Sequence, residues 1–179
     1  MASINEVQDE VIAEFNDFDD WMDRYQLLID LGNEQEPLDE KYKTEQNLIE
    51  GCQSRVWLQA DEVDGKLIFQ AESDALIVKG IISLLIKVLS GHTPDEILNA
   101  DLYFIDKIGL KEHLSPTRSN GLLSMVKQMR MYALAFKAKE SHAQTTQVNE
   151  DVPRLKLTFC QSLNTSPLIS RQMTIVPHP

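Results

Sequence analysis

The chain has 179 residues, of which 42% are hydrophobic, and this is sufficient for one domain with a substantial core. Lysine and arginine number 17 against 28 aspartates and glutamates, so the formal net charge is -11. This surplus disfavours nucleic acid and anionic membranes as partners, because both attract clustered positive charge, whereas it suits a basic patch on a protein partner.

The start of the chain, residues 1–6, has neither a basic segment nor an apolar one, so no secretory signal is predicted. The longest apolar stretch, residues 75–89, is interrupted by polar side chains and is too short to cross a bilayer. The chain has two cysteines. Without a secretory signal they indicate a reducing compartment, and we expect a cytoplasmic protein without a disulfide framework.

Two helices are predicted in the first part of the chain. The first follows a capping-box pattern that begins at Ser3, and its apolar residues recur at helical spacing as far as Phe15. The second begins at an acidic run that ends in Asp20, because acids favour the positive end of a helix, and Gly32 is expected to end it. A polar connector, residues 33–46, follows.

An antiparallel hairpin is predicted after this connector. Residues 55–60 and 66–71 are strand-like, and Asp64-Gly65 between them is a strong turn signal. A short additional strand through residues 47–51 is compatible with the pattern.

Three more helices are expected. Ser73 is predicted to cap a long apolar helix from Asp74 to about Leu89, which forms the centre of the core. Residues 93–96 combine an N-cap, a proline at the first helical position and a capping-box glutamate, so they start a short helix. The last helix is predicted over residues 119–139. Its inward-facing stripe consists of Leu122, Leu123, Val126, Met129, Ala133 and Phe136.

The C-terminal part differs in composition, so the chain is divided into a domain, residues 1–140, and a linker with an atypical tail, residues 141–179. Residues 141–150 are polar and are interpreted as a linker. Residues 154–159 alternate apolar and polar side chains and could add a strand. We interpret Cys160 as incidental, with a relay or resolving thiol as the alternative.

The most informative segment is Gly51-Cys52-Gln53-Ser54, directly before the first predicted strand. Gly51 can adopt backbone conformations that are closed to other residues, so it marks a bend. A cysteine at such a bend is presented outside the sheet. The alternative is that Cys52 is a small buried hydrophobe, which is a common fate of a free cysteine.

Two kinds of chemistry are disfavoured by the sequence. Structural zinc and iron–sulfur sites need several closely spaced ligands, whereas the two cysteines are more than a hundred residues apart. The histidines, His92, His113, His142 and His178, show no helical pairing. A thiol hydrolase needs a base near the thiol, and only His92 and His113 are candidates within the domain. Glycine-rich phosphate loops are absent.

Thiol exchange between proteins needs fewer functional groups than a metal site or a hydrolase. A thiolate can attack the outer sulfur of a persulfide on another protein and carry that atom away, in the same displacement that drives disulfide exchange. Such a protein requires one cysteine, a bend that presents it and a docking surface. Cys52 satisfies this short set of requirements better than it satisfies those of a metal site or a hydrolase.

Four blocks of the chain carry a family resemblance: residues 47–58 (NLIEGCQSRVWL), 73–80 (SDALIVKG), 90–98 (SGHTPDEIL) and 113–122 (HLSPTRSNGL). They closely resemble the SufE family of sulfur-acceptor proteins and occur in that family's order, which makes the resemblance specific. The resemblance as a whole covers roughly residues 5–139.

The resemblance implies an α+β domain with a small antiparallel β-sheet packed against helices, similar to the IscU-type scaffold fold. It implies docking on a SufS-like cysteine desulfurase, acceptance of its persulfide sulfur on Cys52, and stimulation of that enzyme. The sulfur then passes towards iron–sulfur cluster assembly on a SufBCD-like scaffold. The pyridoxal phosphate belongs to the desulfurase, so this chain is expected to be a non-enzymatic carrier without a cofactor, as a monomer or weak dimer.

The resemblance also suggests roles around the acceptor cysteine. Asp74 matches a family position beside the acceptor loop, with a helix-capping acid as the alternative. Arg118 could favour a thiolate or persulfide anion through its permanent charge, or it could tie down a turn. His113 could stack or hydrogen-bond in the same cluster, but a structural role is favoured. Gln53 and Ser54, with Gly51, are expected to fix the bend.

The sequence departs from the family in two places. The family's Leu-Pro element appears here as Gln35-Glu36-Pro37, and the tail has no counterpart. The IscU-type scaffold itself is excluded, because it needs several cysteine ligands. Three alternatives stay open: a sulfur relay for another pathway such as RNA thiolation, an independent cysteine-dependent hydrolase, and a pure docking module.

Overall fold

The computed structural model describes residues 2–147, and side-chain positions as far as residue 139. This part of the chain combines a two-stranded antiparallel sheet with seven α-helices, which confirms the predicted α+β class. The elements are α1 (Ile4–Asn16), α2 (Trp21–Glu34), β1 (Val56–Val63), β2 (Lys66–Ser73), α3 (Leu76–Leu89), α4 (Pro94–Asn99), α5 (Phe104–Lys107), α6 (Leu110–His113) and α7 (Pro116–Gln147), with 3-10 turns at Glu40–Tyr42 and Glu45–Asn47.

The predicted hairpin is confirmed. Strands β1 and β2 pair in an unbroken register from Val56 opposite Ser73 to Val63 opposite Lys66. The two turn residues at its tip both have positive φ, as the right-handed twist of a two-residue hairpin requires. Alternate side chains of β1 are buried on the face that meets the helices. The possible strand through residues 47–51 is reduced to one bridge, between Leu48 and Trp57.

Helix α3 is the centre of the core. Nine of its residues are buried, and it packs against α1, α2, α7 and β2. The helix begins at Leu76 with Ala75 as its N-cap, so the prediction that Ser73 caps it was wrong. Ser73 instead remains the last residue of β2, where its hydroxyl donates to the Arg55 carbonyl and accepts from the Ala75 amide.

The α2–α3 crossing explains a second difference. We expected Gly32 to end α2, but the helix continues to Glu34. A Cβ placed on Gly32 would lie 3.0 Å from the backbone nitrogen of Gly80, and a Cβ on Gly80 would lie 2.1 Å from the carbonyl oxygen of Leu28. The two glycines therefore serve the close approach of the helix backbones, and the capping interpretation of Gly32 was wrong.

Helix α7 starts at Pro116 and continues to Gln147, beyond the predicted end at residue 139. The first seven residues of the expected linker are therefore helical. In the predicted inward stripe, Leu122, Met129 and Ala133 are buried, whereas Leu123 is 59% exposed and Met125 is buried in its place. The predicted strand at residues 154–159, Cys160 and His178 lie outside the described residues, as does the side chain of His142.

The connector between α2 and β1 is tied to the core at Gln35. Its side-chain amide donates to the carbonyl oxygen of Ala71 at 3.0 Å, and its amide oxygen meets the Ser83 hydroxyl on α3. Leu38 is buried beside it. Among residues 2–147, no helix is both long enough and apolar enough to cross a bilayer.

Candidate functional site

Residues 50–55 form a bend before β1, which we call the cysteine loop. Its N-terminal end is held to the sheet, because the Ile49 amide donates to the Val56 carbonyl at 2.8 Å. Gly51 has φ of +87°, a left-handed conformation that favours glycine, and so confirms the predicted bend. The loop thus leaves and rejoins the same edge of the hairpin over a short distance.

The other end of the cysteine loop is held by Asp74. The Arg55 amide donates to the Asp74 carboxylate at 3.0 Å, and the Asp74 amide donates to the Arg55 carbonyl at 3.3 Å. The Ser73 hydroxyl donates to that same carbonyl at 2.9 Å. Asp74 therefore lies beside the loop, where the sequence placed it. It is outside α3, which begins at Leu76.

The Cys52 side chain is half-buried and points towards α7. Its thiol donates to the carbonyl oxygen of Gly121, with 3.6 Å between sulfur and oxygen. Burial raises the pKa of Cys52 above the ordinary thiol value, because the charged thiolate loses solvation. This shift favours the protonated thiol over the thiolate in this conformation.

A cavity of about 290 Å³ opens beside the thiol, between the cysteine loop, α3 and the N-terminal part of α7. Its lining combines apolar and polar side chains. Of the described residues that line it, Arg118 is the one with a permanent charge. The lining consists of Cys52, Gln53, Ser54, Val78, Ile81, Ser115, Thr117, Arg118, Gly121 and Met125.

The two candidate bases lie elsewhere. His113 stacks on Trp21 with 3.8 Å between ring centroids, and its Nδ1 lies 3.0 Å from the carbonyl oxygen of Gly109, so it supports the junction of α2 and α6. His92 is buried, with its Nδ1 3.8 Å from the Glu96 carboxylate. Neither histidine lines the cavity, so the thiol has no imidazole partner among the described residues of that cavity.

Gln53, Ser54 and Arg118, which the sequence analysis singled out, line the same cavity as Cys52, whereas the lining residues on α3 and α7 were missed. These are Val78, Ile81, Gly121 and Met125. A glycine inside a predicted helix was the available signal for Gly121, because glycine disfavours helix interiors. Within residues 2–147, no group of three or more histidine, cysteine or acidic side chains is placed to hold a metal ion.

Fold and site together define a class of protein: a small α+β domain that carries one half-buried thiol at the wall of a cavity. Comparison with known proteins gives the family. The SufE model, described as an Fe–S metabolism associated domain, matches residues 9–133. An uncharacterized SufE-like protein of Synechocystis sp. is 38% identical over 134 residues, which make up 75% of this chain and 84% of that protein.

A chloroplastic/mitochondrial SufE-like protein 1 of Arabidopsis thaliana is 39% identical over 132 residues, or 73% of this chain but 35% of that longer protein. The solution structure of a hypothetical protein from Thermus thermophilus shares the fold with a TM-score of 0.62 at 22% identity, over 74% of this chain and 96% of that one. The chain belongs to the SufE family, and this membership supports a role in sulfur transfer for Fe–S metabolism.

Proposed function

We propose that the protein is a non-enzymatic sulfur carrier that accepts persulfide sulfur from a cysteine desulfurase onto Cys52. One observation carries this proposal above the others. Cys52 is the only cysteine among residues 2–147, and it lies on a bend whose two ends are fixed and whose thiol faces a cavity. This arrangement supplies a nucleophile and space for an additional sulfur atom, and it includes no base of a hydrolase.

The transfer is a displacement at sulfur. The Cys52 thiolate attacks the outer sulfur of the desulfurase persulfide, so a new S–S bond forms on Cys52 and the S–S bond of the donor breaks. The released electron pair stays on the desulfurase cysteine, which takes up the proton that Cys52 lost. No external oxidant or reductant is needed, since a thiol and a persulfide exchange places.

The raised pKa of Cys52 has a consequence for this step. The thiol has to leave its half-buried position, or gain a nearby positive charge, before it becomes an effective nucleophile at neutral pH. Arg118 lines the same cavity, and its permanent charge favours an anionic sulfur there. We therefore assign Arg118 the role of stabilising the thiolate or the persulfide anion, while Asp74 holds the loop.

Removal of the persulfide from the desulfurase would also stimulate that enzyme, because its cysteine returns to the reactive state. The pyridoxal phosphate belongs to the desulfurase. We place the carrier in a reducing compartment, the cytoplasm, because an acceptor thiol must stay reduced. The recipient is a SufBCD-like iron–sulfur scaffold, and a relay to RNA thiolation is the alternative for the same chemistry.

The test uses the full chain, a cysteine desulfurase and free cysteine, with intact-mass and peptide mass spectrometry as the measurement. We expect one or more additional sulfur atoms on the Cys52 peptide, and no such gain in Cys52→Ser. The matched control is Cys160→Ser, which removes the other cysteine and should accept sulfur like the original chain. If Cys52→Ser gained as much sulfur as the original chain, the proposal would be refuted.

Desulfurase turnover measured on the same samples tests the stimulation. A carrier predicts that Cys52→Ala binds the desulfurase but no longer stimulates it, because the persulfide is not cleared. Undiminished stimulation by Cys52→Ala would instead identify a pure docking module.

A further inference from the structure

Helix α7 exposes an apolar face. Leu123 and Leu134 are each 59% exposed and Met131 is 52% exposed, and their spacing along the chain places them on one side of the helix. Together with Val126 and with Leu98 on α4, they line a groove of about 380 Å³, which we call the α7 groove. Contiguous apolar side chains that stay exposed on a small domain mark a surface that another segment covers.

The charge of α7 restricts what can cover this groove. Lys127 and Arg130 line it as well, and residues 116–139 contain no acidic residue although the whole chain has a net charge of -11. A second copy of the chain would bring the same basic helix against itself, and like charges that face each other across an interface are unfavourable. The occupant therefore needs apolar side chains for the groove and acids that can lie beside a basic helix.

The sequence that follows α7 supplies both. Leu155, Leu157 and Phe159 alternate with polar residues, so they share one face if this segment is extended. Glu150 and Asp151 precede them and are the last acidic residues of the chain.

The length of the connection matches the groove. Helix α7 ends at Gln147, and an extended chain that turns back from there brings Phe159 about 40 Å along the helix, at about 3.3 Å per residue. Leu123 lies about 36 Å from the same end, at about 1.5 Å per residue. By the same measures Leu155 comes level with Leu134, and the few ångströms left over in both cases are taken up by the turn.

We propose that residues 154–159 pack as an extended segment in the α7 groove, antiparallel to the helix, with their alternate apolar side chains on its floor. The short connection gives this segment an effective concentration at the groove on the order of millimolar, which favours it over a separate molecule. In this register the acids at 150 and 151 reach the neighbourhood of Lys139, at the basic end of residues 116–139.

The register also fixes where the segment ends. Cys160 follows it directly and comes level with Gly121, whose carbonyl meets the Cys52 thiol. A second depression, lined by Gly51 and Ser124, shares Met131 with the α7 groove, so the two surfaces are continuous. The segment therefore covers the face of α7 that leads to the cysteine loop.

The experiment places a nitroxide spin label on Cys160 of the full chain, in a Cys52→Ser background so that the label has one site. Methionines carry a ¹³C-labelled methyl group, and NMR compares their signals before and after the nitroxide is reduced. We expect the Met131 signal to be lost while the label is paramagnetic. Met22 is also exposed but lies on α2, outside the groove, so its smaller loss is the reference for a tail that only passes by.

Leu157→Asp and Thr158→Asp are the matched pair of variants. They add the same charge at neighbouring positions, but only residue 157 faces the groove in the proposed segment. We expect Leu157→Asp to restore the Met131 signal and Thr158→Asp to leave it lost. Neither change touches residues 2–147, so the domain stays folded in both.

Three results would overturn the proposal. The first is a Met131 signal that is reduced no more than that of Met22, which would leave the groove to a foreign partner. The second is the same response in both variants. The third is a loss that appears when the spin label and the ¹³C label are on different molecules in a mixed sample, because a second copy would then fill the groove. No desulfurase is present, so the outcome is independent of whether Cys52 accepts sulfur.

Discussion

The two bends that flank β1 both depend on glycine but for different reasons. Gly65, at the hairpin tip, has φ of +73°, and a side chain there would meet open space. Gly51, in the cysteine loop, has φ of +87°, and a side chain there would collide with Ser124 on α7. The hairpin tip needs only a backbone conformation, whereas the cysteine loop needs that conformation and a fit against a distant helix.

This difference indicates how each bend is encoded. The hairpin turn is specified by its own two residues and the strands beside them. The cysteine loop is specified by its glycine, by Asp74 just before α3, and by Gly121 and Ser124 on α7. A loop held by three separate parts of the chain can be released by a change at any of them.

The largest effect is expected from Gly51→Ala compared with Gly65→Ala. Both changes force alanine into a left-handed conformation, but only the first also creates a clash. We expect Gly51→Ala to lower the free energy of unfolding by about 2 kcal/mol and Gly65→Ala by about 1 kcal/mol. Urea unfolding of the two variants measures the difference, and equal losses would show that the α7 contact adds nothing at Gly51.

A double-mutant cycle separates the two costs of Gly51→Ala, namely the left-handed backbone conformation and the clash with Ser124. Ser124→Ala removes the hydroxyl that the new Cβ would meet, so adding it to Gly51→Ala should restore about 1 kcal/mol. The loss of unfolding free energy that Ser124→Ala does not restore measures the cost of the left-handed backbone conformation. The combination of Ser124→Ala with Gly65→Ala should show no coupling, because these residues do not touch.

Much of the fold was predictable from local signals. The capping boxes at Ser3 and Thr93 and the Asp64-Gly65 turn are where the sequence placed them, because each depends on residues within a few positions. Gly32 was misassigned because the same residue type serves a helix end and a helix crossing, and only the position of α3 decides between them.

The site was predictable only in part, for the same reason. Asp74 meets the end of the cysteine loop at Arg55, because the two residues flank the hairpin that the sequence predicted. For His113 a structural role was favoured over a place beside the thiol, and its stacking on Trp21 places it at another junction. Gly121 is almost seventy residues from Cys52 in sequence, and nothing local indicates that its carbonyl meets the thiol. The local pattern of a single sequence does not predict contacts between elements that are far apart in the chain.

An intermediate effect is expected at the β1 end of the cysteine loop. Asp74→Ala removes the acceptor for the Arg55 amide, and we expect a loss of about 1 kcal/mol in the free energy of unfolding together with faster alkylation of Cys52. Asp74→Asn keeps an oxygen acceptor in the same place and is the matched control. If Asn and Ala behave alike, the charge of Asp74 and not its hydrogen bond holds the loop.

The smallest effect is a pH dependence of the free energy of unfolding. It is specific to the cysteine loop, because that loop contains a half-buried thiol and the hairpin tip contains no thiol. Burial raises the pKa of Cys52 above its ordinary value of 9.0, so the folded state retains the proton at pH values where the unfolded chain has lost it. The stability that the protonated thiol contributes is complete below pH 9.0 and is lost as pH rises through the raised pKa.

The test is made in a Cys160→Ser background. Above pH 9.0, the free energy of unfolding should fall more steeply with Cys52 present than in Cys52→Ser. Chemical denaturation at a series of alkaline pH values measures both slopes, and subtraction removes the tyrosines and lysines that titrate in the same range. Identical slopes would mean that the thiol is as solvated in the folded protein as in the unfolded chain, and burial would then not raise the pKa of Cys52.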